Sequence, residues 1–100
     1  MFKGTTPQHT FNVNIDTSLI KEIKITYTQN ESEVLCKRTE DCTIEDGKII
    51  ARLTQEESFL FETGKFVFIQ LRVLTLGGEC LTSEILMTGV GKCLDSEVLV

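Results

Sequence analysis

The residues of this chain that could carry acid–base chemistry do not form a catalytic constellation. His9 is its one histidine, and no motif around it supplies a nucleophile or an orienting carboxylate. Paired acids can cleave glycosides or bind calcium only at defined separations with supporting ligands. The acid pairs here lack that setting; they are Glu31/Glu33, Glu40/Asp41, Glu45/Asp46, Glu56/Glu57 and Asp95/Glu97. We predict no catalytic residue, with His9 exposed on the first strand and the acid pairs in solvated turns.

The cysteines and glycines point to neither a metal nor a cofactor. Paired Cys-x-x-Cys knuckles, as in zinc sites, are absent from the spacing of Cys36, Cys42, Cys80 and Cys93. We expect free thiols that behave as small apolar side chains. No glycine-lysine signature follows Gly77-Gly78, so this pair predicts a hairpin turn and not a phosphate cradle.

The charge balance limits the partners that we expect. The formal net charge is −5, and the ten basic residues are scattered along the sequence. Nucleic acid and anionic membranes are therefore poor partners, because both are bound by clustered basic residues. No apolar stretch approaches a membrane span, and the opening residues lack the apolar run of a signal peptide. We expect a chain that is made and kept in a cytoplasm.

Alternation of apolar and polar residues indicates a β-rich fold. Apolar residues recur at every second position in several short segments, which is the pattern of half-buried strands. The segments are His9–Ile15, Ile23–Thr28, Val34–Cys36, Cys42–Glu45 as a short edge strand, Ile49–Leu53, Phe66–Thr75 and Leu81–Val90. About seven strands with turns between them predict a single all-β domain over residues 1–100, an antiparallel two-sheet sandwich. A small barrel is the alternative.

Local signals set the connections between these strands. Asp46-Gly47 is typical of a tight hairpin turn. Thr54 and Glu57 form a capping-box pattern, which predicts one short helical turn near 54–61. For the last hairpin, a loop of three or five residues pairs Leu71 with Ile85 and Arg72 with Glu84, and this register keeps charge out of the core.

Four apolar residues are candidates for a partner surface. If Val67 and Ile69 face the core, Phe66 and Phe68 face outward, either under a loop or as a contact surface. The last residues of the sequence are apolar and include Leu99 and Val100. These residues either dock on their own sandwich or insert into a neighbouring subunit by strand addition.

Two resemblances extend this interpretation. The hairpin from Phe68 to Ile85, with its Gly77-Gly78 turn, resembles the last two strands of a fibronectin type III or immunoglobulin-like module. Nearly the whole chain is similar to small prophage-encoded proteins found among the tail genes of phages of gut Firmicutes. The segments that carry this second resemblance are Lys3–Pro7, Asp16–Glu22, Asp41–Glu45, Leu53–Glu57 and Leu71–Thr75.

The second resemblance implies an immunoglobulin-like β-sandwich that acts as a non-enzymatic structural or assembly module of a phage tail or baseplate. Its partners would be other tail or baseplate proteins, or a second copy in a homo-oligomer. It would work in the bacterial cytoplasm during assembly, and the virion is a second expected location. The alternative is a carbohydrate- or cell-surface-binding sandwich, which would need exposed Trp or Tyr platforms. The chain has no Trp, and Tyr27 is on a predicted core face.

Overall fold

The computed structural model describes Met1–Val100 and contains eight strands and one α-helical turn. Two 3₁₀ turns, Thr17–Leu19 and Thr39–Asp41, precede β2 and β4. None of the helices is long and apolar enough to cross a membrane. The elements are β1 (Gln8–Asn12), β2 (Ile20–Gln29), β3 (Ser32–Arg38), β4 (Cys42–Glu45), β5 (Lys48–Arg52), α1 (Gln55–Ser58), β6 (Val67–Thr75), β7 (Cys80–Thr82) and β8 (Leu86–Thr88).

The strands form two antiparallel sheets, so the predicted all-β sandwich is confirmed. One sheet has the order β1-β5-β4, and the other has the order β3-β2-β6 with β7 and β8 both on the far side of β6. If β1 is taken as strand B, this is the B-E-D and C′-C-F-G arrangement of immunoglobulin-like domains. No strand lies in the position of strand A beside β1, and the residues before β1 form one isolated parallel bridge, between Phe2 and Gly91.

The core lies between the two sheets and is built from alternating residues of each strand. Because successive strand side chains point to opposite faces, every second residue is buried from Ile23 to Gln29 on β2 and from Val67 to Val73 on β6. The smaller sheet contributes β1 and β5 residues, and Leu53, Phe61 and Val90 close the core. The thirteen buried apolar residues are Phe11, Ile23, Ile25, Tyr27, Ile49, Ala51, Leu53, Phe61, Val67, Ile69, Leu71, Val73 and Val90.

The turns follow the local chemistry that the sequence predicts. Asp46 and Gly47 join β4 to β5, with Gly47 at φ 73°, where a side chain would be strained. The capping box is present, because the Thr54 hydroxyl accepts from Glu57 N at 3.1 Å and Thr54 N donates to the Glu57 carboxylate at 2.8 Å. The single helical turn Gln55–Ser58 therefore lies within the predicted 54–61 region.

The inward side of β3 differs from the prediction. Leu35 and Lys37, and not Val34 and Cys36, lie opposite the buried residues of β2. The Lys37 side chain is 9% exposed and its ammonium contacts both oxygens of Glu57 at 2.7 and 2.8 Å. Burial raises the pKa of Glu57, but the hydrogen bonds from Lys37 and Thr54 outweigh it, and the net pKa is lowered. This ion pair ties α1 to β3.

The predicted register of the last hairpin is wrong. The Ser83 hydroxyl accepts from Leu71 N at 3.0 Å, and Ser83 N donates to Leu71 O at 2.8 Å. Residues 83–85 belong to no strand, and the register of pairing with β6 shifts by one residue between β7 and β8. The predicted strand Leu81–Val90 is therefore divided in two. Instead of the predicted pairs, the structure pairs Arg72 with Thr82, Phe68 with Met87, and Ile69 with Leu86.

Candidate interaction surface

His9 is half-buried and faces the core, not the solvent as the sequence predicts. Its Nδ1 lies 2.8 Å from the Tyr27 hydroxyl, and the two ring centroids are 5.4 Å apart. Burial lowers the pKa of His9, and burial, assisted by Cys42 and Glu57, raises the pKa of Tyr27. The neutral His9–Tyr27 pair gives each polar group a hydrogen-bond partner inside the sandwich. This contact therefore has a structural explanation.

The other groups with chemical potential are dispersed over the molecule. No group of three or more His, Cys, Asp or Glu side chains is placed to hold a metal ion. All four cysteines are free thiols; Cys36 and Cys42 are half-buried, and Cys80 and Cys93 are exposed. Burial and the neighbouring Asp41 raise the pKa of Cys42, so a smaller fraction of this thiol is ionised to the reactive thiolate.

A cleft of about 690 Å³ opens on the side of the sandwich where strand A is missing. It lies between residues 10–15 and residues 81–84, with Leu71, Val73 and Leu86 also in its lining. β1 pairs only with β5, so its other edge borders this cleft. Glu84 is its one charged residue, and His9 is not among its lining residues.

The outer face of the five-stranded sheet carries an apolar patch, which we define as Phe66, Phe68 and Met87. Phe68 and Met87 are directly opposite each other on β6 and β8. Because Val67 and Ile69 are buried, their neighbours Phe66 and Phe68 point outward, as predicted. Their exposed fractions are 56% and 41%, and Met87 is 59% exposed.

The same outer face carries a row of three basic residues, Arg38, Lys24 and Arg72, which we call the basic row. Lys24 on β2 is directly opposite Arg38 on β3 and Arg72 on β6. Neither ion pair in the structure involves them. The row lines a depression of about 220 Å³ that Glu22 also borders. No sequence pattern marks this row, because the three residues are far apart in sequence and only the registers of β3-β2-β6 bring them together.

The predicted partner residues do not all lie on one sheet. Phe66 and Phe68 lie at the start of β6, whereas Leu99 and Val100 lie in the irregular segment at 92–100. Residues 92–100 form no strand or helix. Gln55 of α1 accepts from Leu99 N at 2.8 Å and donates to Leu99 O at 2.7 Å. The Leu99 side chain is nevertheless 68% exposed, and Val100 is fully exposed. The backbone is therefore anchored while the apolar side chains face the solvent.

Comparison of the chain with known protein families, with characterised protein sequences and with solved structures gave no match. The outer face of the larger sheet and the segment 93–100 both expose large apolar side chains, among them Phe66, Phe68 and Leu99.

Proposed function

We propose that this protein is a non-enzymatic structural or assembly module that acts by protein–protein contact through the outer face of its larger sheet. The observation that supports this most is the apolar patch, in which two phenylalanines and a methionine are exposed side by side. A contiguous exposed apolar patch is typical of an interaction site, whereas single exposed apolar residues are ordinary.

The composition of the patch suits a contact surface. Aromatic residues, methionine and arginine are enriched at protein interfaces, and buried aromatic anchors contribute much of the binding energy. Phe66 immediately precedes β6 and Phe68 is on it, and the inward residues of this strand are part of the rigid core. Met87, opposite Phe68, has a flexible side chain that adapts to the shape of a partner.

The proposed setting is a phage tail or baseplate, and the support for it is the sequence resemblance to small prophage-encoded proteins found among tail genes. In that setting the partners are other tail or baseplate proteins, or a second copy of this chain. The protein would act in the bacterial cytoplasm during assembly, and its presence in the virion is part of the same proposal.

The carbohydrate-binding alternative gains no support from the geometry. Sugar-binding sandwiches commonly present aromatic platforms, and Tyr27, the one tyrosine, is fully buried between the two sheets. Phe66 and Phe68 lack the polar group that Tyr or Trp would offer a sugar.

The proposal is tested by binding titrations against the purified products of the genes that neighbour this one, and against the protein itself. Wild type is compared with the double variant Phe66→Gln/Phe68→Gln. We expect at least one partner to bind wild type and to bind the double variant at least tenfold more weakly, since two central aromatic contacts are removed.

A matched control is Leu60→Gln/Leu76→Gln, because both leucines are also more than half exposed but lie outside the patch. This control should bind as wild type does. Equal loss of binding in both double variants, or binding that neither pair affects, would refute the outer face as the contact surface.

A further inference from the structure

We infer that the outer face binds the segment 93–100 of a second copy of this chain, so that the protein self-associates. This inference rests on the proposed function and deepens it, because it names the partner of the same surface. The segment's acidic residues would face the basic row, and its apolar residues would face the apolar patch.

No acidic side chain of the molecule forms an ion pair with the basic row. Arg38 and Arg72 each lie directly opposite Lys24, and like charges on directly opposite strand residues destabilise a sheet. Lys24 is half-buried, and the one polar side-chain contact of Arg72 is to Cys80 Sγ at 3.3 Å. Glu22 borders the depression without pairing with any of the three. The row therefore attracts an acidic group from outside.

The segment 93–100 carries the complementary groups. Asp95 Oδ1 accepts from Glu97 N at 3.0 Å, which places both acidic residues in one turn. Val98, Leu99 and Val100 follow directly. Apart from half-buried Val98, these residues are exposed, as is Leu94. The chain thus exposes two acids and an apolar run beside each other with no cover of its own.

The order and spacing of the groups match. Along β6, Phe68 and Arg72 are four residues apart, about 13 Å at the rise of a strand. Along the segment, Asp95 and Leu99 are also four residues apart, and they reach about 13 Å once the turn at Asp95–Glu97 opens into an extended backbone. A segment that runs antiparallel to β6 therefore places Asp95 near Arg72 and Leu99 near Phe68. The reverse direction would place the acids on the apolar patch.

Gln55 prepares the segment for this contact. Its amide makes both backbone hydrogen bonds of Leu99, which restricts the segment while leaving the Leu99 side chain outward. Restricting a binding segment before contact lowers the entropy that association must overcome. We therefore expect Gln55→Ala to weaken self-association several-fold without changing any contacting side chain.

The test is a charge exchange, read by light scattering and sedimentation on the full chain at high micromolar concentration. One variant, Arg38→Glu/Arg72→Glu, reverses the row at two exposed positions. The other, Asp95→Lys/Glu97→Lys, reverses the segment. Wild type should show an average mass above the 11.3 kDa monomer, and each variant alone should associate at least tenfold more weakly. An equimolar mixture of the two should regain association, because the reversed row again meets a segment of opposite charge.

The control is Glu45→Lys/Asp46→Lys, which makes the same change in net charge as the segment variant at exposed acids of the β4–β5 hairpin, on the smaller sheet, and should associate as wild type does. Circular dichroism must show that all variants are folded. Monomeric wild type, or a mixture that fails to regain association, overturns this inference. If Phe66→Gln/Phe68→Gln abolishes self-association and the charge variants do not, the segment 93–100 is not what binds the outer face. The outer face is then still the contact surface. If neither set affects binding to any partner, the proposed function fails as well.

Discussion

The ion pair between Lys37 and Glu57 gives the sharpest stability prediction. Glu57→Gln keeps the shape of the side chain and an oxygen that can accept from Thr54 N, so the capping box survives. What the substitution removes is the negative charge, so the ammonium of Lys37, whose side chain is only 9% exposed, is left without a counter-ion. The alternative substitution Lys37→Met removes the buried charge itself.

The expected cost of Glu57→Gln follows from burial. Breaking a fully buried pair costs about 3–5 kcal/mol, and an exposed pair is worth about 0–1 kcal/mol. Glu57 is 23% exposed, so this pair lies between the two limits, and we expect a loss of about 2 kcal/mol. For a domain of this size that corresponds to a fall in Tm of roughly 10 °C. Lys37→Met should lower the free energy of unfolding less than Glu57→Gln does, because it leaves no buried cation without a counter-ion. The double variant Lys37→Met/Glu57→Gln should therefore be more stable than Glu57→Gln alone.

Urea unfolding followed by far-UV circular dichroism measures these differences, since the chain has no Trp for fluorescence. The matched control is Glu56→Gln, the exposed neighbour in the same helical turn, which should change the free energy of unfolding by less than about 0.5 kcal/mol. If Glu57→Gln is no more destabilising than Glu56→Gln, the buried ion pair does not hold α1 on the sandwich.

Three further predictions concern the interior. The pKa of His9 is lower in the folded than in the unfolded chain, so as the pH falls the unfolded chain binds a proton first. The free energy of unfolding should therefore decrease as the pH drops below about 6.5. In a pH–stability profile measured by urea unfolding, His9→Gln should flatten this decrease. Tyr27→Phe should cost about 1 kcal/mol by thermal melting, because it leaves His9 Nδ1 without its partner; a neutral result would show that the hydrogen bond contributes nothing. In thiol labelling at neutral pH, Cys80 and Cys93 should react well before Cys42, whose pKa is raised by burial, and early labelling of Cys42 would contradict its placement.

Features that depend on neighbouring residues were predictable from the sequence. The capping box needs only Thr54 and Glu57 at the right spacing, and the β4–β5 turn needs only Asp46-Gly47. Strict alternation along β6 likewise predicted that Phe68 faces outward. Local hydrogen bonding and strand periodicity operate within a few residues, so one sequence is enough to identify them.

Features that depend on distant partners were not predictable. Burial of Lys37 requires Glu57 from another element, and no local pattern marks a buried lysine. The shift of register on β6 depends on the hydroxyl of Ser83 reaching Leu71 N. The prediction of an exposed His9 was wrong because its partner Tyr27 is on a different sheet.

The outer face of the larger sheet likewise has one part that the sequence predicts and one part that it does not. The aromatic half of the outer face follows from the pattern of β6, and the sequence identified it. The basic row exists only in the assembled sheet, where Lys24 comes to lie between Arg38 and Arg72. Since the overall charge is −5, the local positive surface is opposite in sign to the molecule that carries it.

The most direct test of the outer face as contact surface is a residue-by-residue map by nuclear magnetic resonance, which suits a chain of 11.3 kDa. Amide signals are recorded on isotope-labelled protein as its concentration rises, or as a partner protein found by the binding titrations is added. Signal changes should cluster around Phe66, Phe68 and Met87 on the larger sheet. Changes centred instead on the outer face of β4 and β5, with those around Phe68 unmoved, would contradict the assignment of the contact surface to the larger sheet.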